Sequence, residues 1–131
     1  MKEFPRVTHI AMTVKDLAVS APWYERLFGL SPLFDEDAGA FHHKGYLLPG
    51  GIVFALHQHQ GSQVRGRFSE FNPGLDHLAF ACANRADLEA WAGRLSELGI
   101  SHSEIEEHSY GTDISFRDPD NIALEFFAPP P

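Results

Sequence analysis

V-T-H-I-A-M-T-V (Val7 to Val14) and L-D-H-L-A-F-A-C-A (Leu75 to Ala83) are two versions of one strand-like segment, each with a histidine in third place, His9 and His77. The histidines stand 68 positions apart (77 − 9). The same offset carries Ala11 onto Ala79, Trp23 onto Trp91, Arg26 onto Arg94 and Leu27 onto Leu95. Identities at one fixed spacing mark an internal duplication, and a duplicated module fixes the architecture before any single element is read.

Each copy reads as strand, helix and three strands. Val7 to Val14 is rich in β-branched residues and reads as a strand. Asp16 opens a helical stretch toward Gly29, with Trp23, Leu27 and Leu30 on one face. Pro22 fits only in a first turn, which predicts a short regular helix. Phe34 to Ala40 is acidic and reads as a loop. Phe41 to Leu48 and Ile52 to Gln58 are strands around Pro49-Gly50-Gly51. The second copy runs from strand Leu75 to Ala83 through the cap Asn84 into a helix carrying Leu88, Trp91, Leu95 and Leu98. Strands over His102 to Glu107, Thr112 to Arg117 and Ile122 to Phe127 follow, the last two joined by the turn D-P-D-N, Asp118 to Asn121. The expected fold is α+β, with two tandem βαβββ modules in one 131-residue domain: module one 5–61, a polar linker 62–73, and module two 74–129. A lone module would leave one sheet face bare, so the modules must pack on each other or on a partner chain.

Composition narrows the function. Ten basic residues against 18 acidic ones give a formal charge of −8, which argues against nucleic acid or an anionic membrane as partner. No run approaches the roughly 18 apolar residues of a membrane span, and M-K-E-F-P lacks the apolar region of a signal peptide. Cys82, the single cysteine, cannot form a disulfide within the chain and reads as a buried reduced thiol. A cytoplasmic location is expected.

The repeat also picks out chemistry. The closing strands align as G-I-V-F-A-L-H and N-I-A-L-E-F-F, Ile52 on Ile122, which sets Glu125 against Ala55. Glu125 interrupts an otherwise apolar strand, and a buried carboxylate is costly unless paired or bound to a cation. His9, His77 and Glu125 together offer two imidazoles and one carboxylate to a divalent metal: Fe(II), Zn, Ni, Co or Mn. The alternative is two separate core histidines, with Glu125 paired to an arginine such as Arg117. His57 shares a face with Ala55 about 6.7 Å along the strand and is a candidate fourth ligand. His59 and Tyr110 are weaker candidates for acid–base roles. His42 and His43 point opposite ways from one strand, and His102 and His108 read as surface residues. Trp23 and Trp91 read as core, and Arg65 and Arg67 as a solvated loop. Phosphate loops, nucleophile elbows and C-x-x-C pairs are missing from the sequence.

The repeated module, with V-T-H-I-A-M, L-D-H-L-A-F and F-R-D-P-D-N-I-A-L-E-F-F, resembles the vicinal oxygen chelate superfamily across nearly the whole chain. That group includes glyoxalase I, extradiol dioxygenases, methylmalonyl-CoA epimerase, and fosfomycin- and bleomycin-resistance proteins. The resemblance implies paired modules curled into a U-shaped mixed sheet around a metal cleft, and a homodimer. It places His9, His77 and Glu125 on three of the four family ligand positions, with Ala55 on the fourth. The function it implies is a metal-dependent enzyme acting on a small substrate chelated through adjacent oxygens, by glyoxalase I-like lyase or isomerase chemistry or by extradiol-type ring cleavage. The alternative it carries is a non-catalytic small-molecule or antibiotic binding protein using the same cleft.

Overall fold

A computed structural model describes residues 2–61 and 63–131. Two compact units divide between Gly66 and Arg67. In the first, β1 (His9–Thr13) is followed by α1 (Leu17–Phe28), β2 (Phe34–Asp37), β3 (Phe41–Leu47) and β4 (Val53–His59). The second repeats the order as β5 (Leu78–Ala81), α2 (Arg85–Glu97), β6 (Glu106–His108), β7 (Gly111–Arg117) and β8 (Ala123–Ala128). Each unit is one mixed four-stranded sheet, ordered β1-β4-β3-β2 and β5-β8-β7-β6, with the first and last strands parallel.

Strand register bears out the internal repeat. Ala11 pairs with Ala55 in one sheet and Ala79 with Glu125 in the other. The offset is 68 on the first strands and 70 on the last, so the two extra residues of the second module fall between the start of its helix and β6, where α2 is one residue longer than α1. The closing hydrogen bond repeats too: Val14 N–H donates to the His57 carbonyl at 2.9 Å, and Cys82 N–H to the Phe127 carbonyl at 2.8 Å.

The helices start where side chains can cap them. Asp16 accepts from the Ala18 N–H, and Asn84 from the Asp87 N–H. Gly29 ends α1 in the left-handed conformation, φ 65°, which a residue with a Cβ adopts less readily. Tyr24 of α1 packs on Phe54 and Leu27 of the same helix is buried, while in the second unit Trp91 stacks on Phe126 at 4.5 Å.

Three expectations need correcting. Pro22 lies inside α1, past its first turn. Pro22 and Ala18 are both on the exposed side, where water can satisfy the carbonyl that proline cannot reach. The acidic stretch read as a loop contains β2, an edge strand whose Asp35 is ion-paired with His42 and with Lys44. Charge on an edge strand costs little and blocks further pairing. The strand expected over His102 to Glu107 starts at Glu106, and His102 makes only an isolated bridge with Phe116.

Candidate metal centre

Alternation along β8 sends Leu124, Phe126 and Ala128 toward α2 and leaves Glu125 and Phe127 on the opposite face. The D-P-D-N turn fixes that alternation. Buried Asp118 accepts from the Asp120 and Ile122 N–H groups, both at 2.8 Å, and Asn121 takes the left-handed conformation at φ 68°. Asn121 also donates to the Phe68 carbonyl, so a residue of the expected linker braces the turn. The result is the β7–β8 register Ser115 opposite Glu125.

His77 immediately precedes β5. Its Nε2 stands 3.5 Å from Glu125 Oε1, and its Nδ1 lies 2.7 Å from Asp76 Oδ1. The structure thus brings together two of the three residues singled out in the sequence. The Asp76 carboxylate raises the His77 pKa, burial opposing it and Glu125 adding to it. Burial pushes the Glu125 carboxyl up, and the nearby Asp113 charge adds to this against the pull of His77. A half-buried carboxylate held above its ordinary range beside an oriented imidazole is a pair of donors suited to a cation.

His9 repeats the local device in the first unit. It is exposed at the start of β1, and Thr8 Oγ1 lies 2.9 Å from its Nδ1, as Asp76 lies against Nδ1 of His77. Both ring Nε2 atoms are thereby turned away from the residue that orients them. Arg117, the proposed alternative partner of Glu125, is instead bound to Glu70 at 2.6 Å and to the Asn121 carbonyl at 3.1 Å.

The remaining histidines separate by environment. His57 stacks on Phe41 at 4.6 Å and meets His43 edge-on at 4.9 Å, while His59 borders both Phe41 and His57. Burial lowers the His57 pKa, and the neighbouring His43, His59 and His9 lower it further. His43 Nε2 is buried and lacks a hydrogen-bond partner, with Glu36 4.0 Å away. His102 is structural, held between Ser96 Oγ and the Ser103 carbonyl. Tyr110 lies flat on His108 at 4.9 Å and on Phe127 at 6.3 Å.

Sequence reasoning missed the contributions of Asp76, Thr8 and Asp113. Asp76 and Thr8 occupy equivalent positions before the two histidines, and that was the available signal. Asp113 gave none, because it becomes significant only when β6 and β7 pair.

A family model described as the Glyoxalase/Bleomycin resistance protein/Dioxygenase superfamily matches residues 6–126. The chain belongs to this family. A domain of the same superfamily from Frankia sp. EAN1pec is 33% identical, with a TM-score of 0.87 over 98% of this chain and 100% of its own. Metallothiol transferase FosB of Bacillus licheniformis is 26% identical over 121 residues, 91% of this chain and 72% of the relative. A variant of the fosfomycin resistance protein FosX from Listeria monocytogenes, complexed with Mn(II) and 1S,2S-dihydroxypropylphosphonic acid, shares the fold at 22% identity, with a TM-score of 0.71 over 98% of this chain and 93% of its own.

Proposed function

We propose that the chain is a divalent-metal-dependent enzyme acting on a small substrate that presents adjacent oxygens, with His9, His77 and Glu125 as the metal ligands. The observation that carries this reading is the His77–Glu125 pair at 3.5 Å, its histidine oriented from behind by Asp76. Two atoms bound to one ion at ordinary angles lie about 3.0–3.5 Å apart. His9 completes the set by module equivalence, from this chain or from a second copy, since Thr8 holds its ring as Asp76 holds that of His77. A homodimer is part of this reading.

The metal would supply Lewis-acid polarisation of a substrate oxygen. The protein's own residues do the rest. Asp76 fixes the tautomer of His77 and keeps Nε2 available. Glu125 supplies a carboxylate that burial makes costly to leave charged without a counter-ion. Ala55, at the register position that Glu125 holds in the second unit, supplies no ligand. Among the reactions open to the family we favour transfer or addition to a small oxyanion over ring cleavage. That choice follows the metallothiol transferase relative and the Mn(II)–phosphonate complex of the FosX fold.

The test pairs metal content with turnover. Glu125→Ala should lose both a bound divalent ion and metal-dependent consumption of small phosphonate epoxides with thiol, while retaining its far-UV circular dichroism. Retained binding of such ligands by a metal-free Glu125→Ala protein would favour the non-catalytic binding reading instead.

A further inference from the structure

The β6–β7 hairpin carries a second group of donors, of which Asp113 also acts on Glu125 through its charge. His108 Nε2 stands 3.0 Å from Asp113 Oδ2 and 3.8 Å from Glu106 Oε2. One donor atom from each of Glu106, His108 and Asp113 lies within 4.8 Å of the others. Two ligands at about 2.1 Å from one ion are about 3.0 Å apart at a right angle and about 3.4 Å apart at the tetrahedral angle. The His108–Asp113 separation falls in that range, and the His108–Glu106 separation is a few tenths of an ångström wider.

Several features hold these groups in place. Asp113 is 8% exposed and therefore confined to few rotamers. The ring of His108 lies parallel to Tyr110, at an interplanar angle of 1°, and Tyr110 in turn stacks on Phe127. Gly111 permits this stack: a Cβ there would run into the Phe127 ring and sit 2.6 Å from the Ala128 carbonyl oxygen. The neighbouring Glu107 is already paired with Arg85, whereas Glu106 and Asp113 share His108. A divalent ion would offset the two carboxylate charges that meet at His108.

The first unit serves as an internal control. Its register pairs Glu36 with His43 where the second pairs Glu106 with Asp113, and Ala38 stands in the place of His108. Among the described residues, only the second hairpin brings donor atoms of two carboxylates and an imidazole within 4.8 Å of one another.

We propose that Glu106, His108 and Asp113 form a second divalent-cation site, distinct from His77 and Glu125, that takes a transition ion such as Zn(II), Ni(II) or Co(II). The donor set of one imidazole and two carboxylates suits these ions, and the half-exposed hairpin leaves further positions for water or a ligand oxygen. The site stands on its own observations and does not require the proposed reaction to be correct.

Equilibrium dialysis against Zn(II) tests it, using the full chain and four proteins: parent, His108→Phe, Asp113→Asn and Glu125→Ala. His108→Phe keeps an aromatic ring to stack on Tyr110 while removing the nitrogen, and Asp113→Asn keeps the shape of the carboxylate. The expected uptake is about two ions per chain for the parent and about one for each variant. Parent-level uptake by both His108→Phe and Asp113→Asn overturns the second site. A single ion lost in Glu125→Ala but kept in His108→Phe overturns it and leaves the first site standing. A single ion with the reverse pattern supports the hairpin site and removes the first. No uptake by the parent overturns both.

Discussion

Asp76 does more for the candidate centre than its exposed position suggests. It holds Nδ1 of His77, raises that ring's affinity for protons, and leaves Nε2 directed at Glu125. Removing such an orienting partner typically weakens metal affinity about 10–100-fold. Asp76→Ala should show that loss in a competition titration with a chelating dye while thermal stability changes little. A second residue-scale prediction concerns His57. Its pKa is depressed chiefly by burial, then by His43, His59 and His9. The unfolded chain therefore binds the proton more readily than the folded one below its ordinary value of about 6.5. Stability should be fully present above that pH and fall as pH drops toward the depressed folded value. His57→Phe, the residue found at the matching position Phe127, should flatten this decline in urea midpoints measured from pH 7.5 to 5.5. An unchanged decline would assign the acid sensitivity to other groups. Cys82 supplies a third: burial, reinforced by Asp87, raises its pKa. It should resist a thiol reagent at pH 8 in the folded protein and react promptly in denaturant.

At the scale of elements, the D-P-D-N turn accounts for the placement of Glu125. Asp118→Ala would strip two backbone N–H groups of their acceptor inside a buried turn. A loss of about 1–3 kcal/mol is expected from denaturant titration; a loss within error would mean the turn is held by backbone bonds alone. The elements legible in the sequence were those whose hydrophobic period agreed with their final environment. The strand around Ile10 and Met12 and the helix around Leu88 and Leu95 are examples, and the repeat placed His9 and His77 as equivalents. The less legible ones depend on tertiary context. Strand β2 is written in Asp35, Glu36 and Asp37, residues of low strand propensity that pairing with β3 nevertheless holds extended. Helix α1 continues through Pro22 because its exposed side tolerates one missing hydrogen bond. Tyr24 and Ala21, not Trp23, turned out to be fully buried on that helix, since the buried stripe is set by packing on Phe54. The Glu125–His77 half of the centre was readable from an acid in an apolar strand. The hairpin donors were not, because Glu106, His108 and Asp113 converge only after β6 and β7 pair.

At the scale of the molecule, duplication gives two units of the same design with unequal chemistry. The first has Ala55 and a cluster of aromatic and imidazole rings where the second has Glu125 and Phe127. Among the described residues no helix is long and apolar enough to cross a membrane. The net charge of −8 is consistent with cations being recruited locally by carboxylates. The homodimer in the proposed reading predicts twice the chain mass in sedimentation equilibrium. The central claim is that His77 and Glu125 hold a divalent ion, and elemental analysis of tag-free protein purified without chelator tests it most directly, comparing parent with His77→Ala. The account predicts that the variant lacks one equivalent of metal present in the parent and loses metal-dependent turnover with it. Equal metal content in the two proteins, both folded, would contradict the account.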